Sequence, residues 1–256
     1  MANETKGLDI SLIAENRAIV PGSTIYVGLK IHHHPGFHTY WKSPGVVGMA
    51  TAMEWQLPPG FTAGVIQWPY PELTTMAGHP CHGYERDVTL IVPITAPKKI
   101  NTNSVTLSAK TRWMCCAKNC HPGFKDFSLT LPVAKKTTPN PSSAKHFLTS
   151  RAELPKKNAP WITTLLSKPD AAEVIIRFKP KEPVSPAPLY LFSEDGQISS
   201  NKKQTFAKQP DGSLLLTIAR SEFSPKEKNK LPAVIKTQKN HYSISPSYSK
   251  PSTKAP

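Results

Sequence analysis

Four stretches of the first 133 residues alternate apolar and polar side chains with a period of two. Ile25, Val27, Leu29 and Ile31 alternate with Thr24, Tyr26, Gly28 and Lys30, and the pattern returns at Val88-Leu90-Val92-Ile94, Val105-Leu107-Ala109 and Phe127-Leu129-Leu131-Val133. Successive side chains of a strand point to opposite faces, so each stretch has one face to bury and one to leave in water. Turn clusters separate the stretches: Val20-Pro21-Gly22-Ser23, His34-Pro35-Gly36, Ser43-Pro44-Gly45, Leu57-Pro58-Pro59-Gly60 and Pro97-Lys98-Lys99. Short strands with such punctuation predict an all-β chain built as an antiparallel β-sandwich. Proline supports the same reading. There are 27 in 256 residues, and each costs roughly 3 kcal/mol inside a helix.

After Val133 the pattern gives way to Lys135-Lys136-Thr137-Thr138-Pro139-Asn140-Pro141-Ser142-Ser143, a linker by composition. A short helix is expected next, capped by Ser142 or Ser143 and running through Phe147 towards Leu154. Strand-like runs then return at Glu173–Phe178, Pro188–Phe192, Ser213–Ile218 and Pro232–Lys236. The domain reading is a first β-sandwich domain over residues 1–133, a linker at 134–143, a second, smaller β domain over 144–248 and a disordered tail at 249–256.

Charge follows this division. Residues 1–133 carry 11 basic and 8 acidic side chains, whereas 134–256 carry 21 and 9. The excess lysines are scattered among Pro, Ser and Thr, without the clustered helix or interleaved aromatics of a nucleic-acid reader, so no nucleic-acid partner is expected. No apolar run of about 18 residues is present, which excludes a membrane-spanning helix. The start, MANETKGLDISL, lacks the basic and apolar regions of a signal peptide. Alone, it reads as cytosolic or as the beginning of a mature segment.

All four cysteines fall within one window, at Cys81, Cys115, Cys116 and Cys120, which points to a site and away from a disulfide scaffold spread through a weak fold. If extended at ~3.3 Å per residue, Cys116 and Cys120 are about 13 Å apart, too far for a disulfide. The segment must fold back to pair them, and Ala117-Lys118-Asn119 suits that turn. So short a ring gains little closure entropy, which favours a reversible pair over a staple. Arg112, Lys118, Lys125 and His121 would favour thiolate. Strand parity places Cys115 on the apolar face of Val105, Leu107, Ala109 and Trp113, as a buried bystander, with Cys116 facing the other way. Four cysteines still allow three full pairings. A soft N/S set of His79, Cys81, His82, Cys115, Cys116, Cys120 and His121 would suit Cu(I) or Zn(II), although no CxxC…CxxC spacing occurs. His32-His33-His34 alternates in direction and reads as a solvated strand end.

Five motifs occur in register: Pro35-Gly36-Phe37-His38-Thr39-Tyr40-Trp41-Lys42-Ser43-Pro44-Gly45, Glu54-Trp55-Gln56-Leu57-Pro58-Pro59-Gly60-Phe61, Gln67-Trp68-Pro69-Tyr70-Pro71-Glu72, Gly83-Tyr84-Glu85 and Trp113-Met114-Cys115-Cys116-Ala117-Lys118-Asn119-Cys120-His121-Pro122-Gly123. Together they resemble the N-terminal periplasmic region of the DsbD/ScsB family of transmembrane thiol:disulfide reductases, of which ScsB is the branch linked to copper tolerance. The likeness covers about residues 8–133, and more weakly 188–245. It implies an immunoglobulin-like sandwich in the periplasm whose Cys116–Cys120 pair is a redox-active disulfide needing no other cofactor. That pair would take electrons from a membrane-embedded thiol reductase and pass them to thioredoxin-fold partners, with Cys120 forming the mixed disulfide. Met76, His79, Cys81 and His82 fall in the cap loop that covers the pair in relatives, and Met76 to His82 is expected to overlie the disulfide.

The chain departs from the family pattern at three points. Cys115 stands where relatives carry an aliphatic residue, Cys81 lies in the cap, and the cap lacks the acidic and aromatic residues of familiar members. A second thiol pair, Cys81 with Cys115, is therefore an open alternative. The family's membrane domain is missing from the sequence, so an excised ectodomain or a free-standing variant is expected, its leader trimmed. Two other functions compete with the redox relay: a copper- or zinc-binding module using the Cys/His set, and a structural β-sandwich interaction protein.

Overall fold

A computed structural model describes residues 6–183 and 185–248. The chain forms two compact units. Among the described residues, the first comprises 6–41, Gly48–Ala77 and Gly83–Leu154; the second comprises Lys42–Val47, Gly78–His82, 155–183 and 185–248. The tail at 249–256 lies outside the described residues, and no helix among the described residues is long and apolar enough to cross a membrane.

The strands of the first half are β1 (Leu8–Ala14), β2 (Thr24–His33), β3 (His38–Gly45), β4 (Ala52–Gln56), β5 (Thr62–Ala63), β6 (Glu72–Met76), β7 (His79–Tyr84), β8 (Val88–Thr95), β9 (Ser104–Cys116) and β10 (Cys120–Pro132). One sheet has the order β1-β2-β8-β5 and the other β10-β9-β3-β7-β6, with β4 also pairing β9. Ile25, Val27, Val92 and Ile94 of the first sheet pack with Val105, Leu107 and Leu131 of the second in one buried cluster. The alternating stretches thus supply both inner faces of an antiparallel, immunoglobulin-like sandwich.

The single helix among the described residues, α1 (Ala144–Ala152), forms where the sequence predicts one but joins the first unit, not the second. Phe147 is fully buried, and Ser150 Oγ donates to Thr89 O on β8 at 2.6 Å. Ser143 takes the N-cap position without capping; its hydroxyl donates to Ala14 O instead. The expected linker is also held down. Ala134 N donates to Ile19 O, Arg17 N to Thr138 O and Asn140 N to Glu15 O, so residues 134–140 run as a bonded edge along 15–19. The observed boundary falls at Leu154 and Pro155.

The second unit contains β11 (Trp161–Leu165), β12 (Glu173–Pro180), β13 (Tyr190–Ser193), β14 (Thr205–Lys208), β15 (Leu214–Ala219), β16 (Ala233–Lys236) and β17 (His241–Ile244). Its sheets have the orders β11-β12-β15-β14 and β13-β16-β17. They close over a core that includes Trp161, Val174, Ile176, Phe178, Leu191, Leu216 and Ile235. Two short segments of the first half of the chain, Lys42–Val47 and Gly78–His82, complete this unit; in the first of them Lys42 Nζ pairs with Glu194 Oε2 at 2.7 Å, and Val46 N donates to Ser200 Oγ.

Candidate redox site

Strands β9 and β10 pair antiparallel along their whole length, and the register closes with Cys116 opposite Cys120. The expected turn is present: Ala117-Lys118-Asn119 forms a three-residue loop in which Ala117 N donates to Asn119 O at 3.1 Å. Folding back brings the two Cα atoms to 4.2 Å, and the sulfurs are joined as a disulfide. The ends of this bond differ in environment. Cys116 is fully buried, whereas Cys120, the first residue of β10, is exposed.

Directly opposed residues of neighbouring strands share a face. On the far side of β9, His38 of β3 pairs with Cys116, and Thr39 pairs with Cys115. His38, Cys116 and Cys120 therefore form one row across three strands. Tyr40 lies two residues from His38 on the same face; its ring meets the His38 ring edge-on at 5.1 Å, and its hydroxyl lies 3.9 Å from Cys120 Sγ. Both Tyr40 and His38 are buried. Burial lowers the His38 pKa, against an opposing pull from Glu85.

The opposite parity row holds Thr39, Cys115 and His121. Cys115 is a fully buried thiol outside the disulfide, and desolvation pushes its pKa up to about 12, which suppresses the reactive thiolate. Trp113 on the same face leans over β10 at Gly123, where an added Cβ would stand 2.1 Å from the indole. Around the exposed end of the pair, Arg112, Lys118, Lys125 and Phe124 face solvent, and His121 is half-buried.

The other expected site residues are dispersed. Met76 ends β6, half-buried, and His79 begins β7, exposed. Ala77 and Gly78, both at positive φ, make the two-residue turn between them. Cys81 is a buried thiol. His82 is buried within the second unit. Its Nδ1 donates to Ser43 O, its Nε2 accepts from Tyr190 Oη at 3.1 Å, and its ring packs edge-on against Phe192. Burial lowers its pKa to about 4.

Among the described residues, no group of three or more His, Cys, Asp or Glu side chains is arranged to hold a metal ion. The seven-residue Cys/His set is thus not assembled, and two of its sulfurs are bonded to each other. The histidine run is also less solvated than expected. His32 and His34 are exposed beside Asp87 and Asp9, but His33 turns inward between Arg86 O and Thr39 Oγ1. Tyr40 and His38 were not singled out as site residues from the sequence; their period-two spacing in β3 was the available signal.

A sandwich whose longest hairpin is closed by a half-exposed cysteine pair defines a β-sheet domain for thiol–disulfide interchange. Residues 10–132 match the family described as "Thiol:disulfide interchange protein DsbD, N-terminal", so this part of the chain is similar to the N-terminal domain of that family. Among solved structures, the N-terminal periplasmic domain of ScsB from Proteus mirabilis shares the fold, with a TM-score of 0.71 and 16% sequence identity over 98% of this chain and 97% of that one. No curated protein matches the chain.

Proposed function

We propose that the protein relays reducing equivalents in the periplasm through Cys116 and Cys120, receiving them from a membrane-embedded thiol reductase and delivering them to thioredoxin-fold proteins. The observation that carries this reading is the unequal exposure of the two cysteines. In the reduced protein the exposed Cys120 thiolate attacks a partner disulfide, and a partner thiolate leaves as the mixed disulfide forms. The enclosed Cys116 then attacks Cys120 Sγ, closes the intramolecular bond and releases the second partner sulfur, so that two electrons pass to the partner. Cys116, out of reach of bulky disulfides, suits only the resolving role.

Exposed Arg112, Lys118 and Lys125 would favour partners with acidic rims. The decisive experiment is trapping. With Cys116→Ser, a mixed disulfide with a thioredoxin-fold protein should accumulate; with Cys120→Ser, none should form. A reduction potential below about −300 mV, typical of structural disulfides, would remove the relay reading.

A further inference from the structure

His38 Nε2 is a buried polar atom without a hydrogen-bond partner, and the residue carrying it is only 3% exposed. Such an orphan costs free energy, and its position is informative. His38 lies directly opposite Cys116 in the β3–β9 register, in a row whose third member is Cys120. The groups that act on the ring come from several elements: Tyr40 on its own strand, Cys116 on β9, His33 on β2 and Glu85 after β7. In the disulfide form Cys116 has no proton to give. Reduction would put a thiol at the position directly opposite His38 in the strand register.

We propose that His38 takes the proton of Cys116 in the resolving step, so that a sulfur sealed from water can still become a nucleophile. With its own proton on Nδ1, the ring has an open lone pair at Nε2. Once Cys120 has formed the mixed disulfide, the Cys116 S–H proton moves to Nε2. The thiolate electron pair then makes the Cys116–Cys120 bond as the bond from Cys120 to the partner breaks, and that electron pair leaves on the partner sulfur. The imidazolium returns its proton to the departing thiolate or to solvent. Two thiols become one disulfide, and the partner gains two electrons. A neutral ring is the required starting state, and burial keeps His38 in it. The inference rests on the relay reading, since it assigns a helper to the resolving cysteine of that reaction.

The test uses glutathione disulfide as the oxidant, with the reduced protein quenched by acid and resolved by mass spectrometry. Two rates are read: formation of the glutathione adduct on Cys120, and its conversion to the internal disulfide with release of glutathione. For His38→Gln the first rate should stay within about twofold of the wild type, while the second falls about 100-fold at pH 7, the lower range of general-base effects. The deficit should shrink steadily towards pH 10, as Cys116 ionises without help. A deficit constant with pH, or no deficit, would overturn the proposal. If the variant does not fold, the imidazole nitrogen shifts of wild-type His38 decide. Reduction should convert Nε2 to a hydrogen-bonded acceptor, and an unchanged Nε2 shift would overturn the proposal. Adduct formation that survives Cys120→Ser would instead strike at the relay reading itself.

Discussion

Cys116 and Cys120 face each other across the last register position of the β9–β10 hairpin, one sealed by protein and the other open to solvent. When the reduced protein meets iodoacetamide at pH 8, Cys120 should be alkylated first. Cys115, with a pKa pushed up to about 12, holds only about one part in ten thousand of its sulfur as thiolate at that pH. Peptide mapping after brief labelling should find carboxamidomethyl on Cys120 and reach Cys115 only after denaturation. Equal labelling of Cys115 under native conditions would contradict the burial described.

Tyr40 Oη beside Cys120 Sγ can donate a hydrogen bond to the thiolate that forms on reduction. Hydrogen bonds to charged groups contribute about 1.5–3 kcal/mol. Tyr40→Phe should therefore raise the Cys120 thiol pKa by about one unit or more, read from the pH dependence of its alkylation rate. An unshifted profile would assign the hydroxyl to packing alone.

Acid should destabilise the fold through His33 and His82. Both have folded-state pKa values lowered to about 4 by burial, against an unfolded value near 6.5. The unfolded chain therefore binds protons that the folded chain refuses. The stabilisation is full above about pH 6.5, declines as pH falls through that value, and levels off below about 4. Each residue contributes roughly 3 kcal/mol across that window. Urea melts at pH 7.5 and 4.5 should show the loss, and His82→Gln should reduce it; a flat profile would sink the assignment.

Gly123 lies beneath the Trp113 indole. Gly123→Ala forces the ring or the strand to shift, at a cost of about 1–3 kcal/mol for overpacking. Chemical denaturation would measure it, and a neutral result would mean that the indole moves freely.

Arg86 pairs with Glu72 at 2.9 Å and Glu153 at 3.3 Å, donates to Tyr70 O and lies over the Tyr70 and Tyr84 rings. Arg86→Met leaves two partly buried carboxylates without their cation and should cost about 3–5 kcal/mol. Arg86→Lys should recover only part of it, because a point charge cannot serve two carboxylates and a carbonyl in one plane.

The parts legible in the sequence were those governed by local pattern. Alternation at Thr24–Ile31, Val88–Ile94 and Val105–Trp113 marked strands, the same parity separated Cys115 from Cys116, and Ala117-Lys118-Asn119 marked the turn. What escaped depends on which strands become neighbours. Nothing within Pro35–Gly45 says that His38 will oppose Cys116, because that register is set by packing between segments almost eighty residues apart. His33 read as solvated for the same reason: Thr39 and Arg86 reach it only after β2 and β3 are placed. Helix α1 was visible, but its side of the boundary depended on a seat for Phe147 that composition cannot show.

The hairpin register runs on from Cys116 and Cys120 to Ser104 and Pro132, so opening the sulfur bridge removes one clasp from a ladder that holds without it. The same ladder is then available to hold the hairpin in the dithiol and the disulfide forms. Under the proposed relay, a partner would have little shape to read, and turnover would depend on electron supply and on the short-range chemistry of one sulfur, with charged and discharged molecules competing for the same docking face.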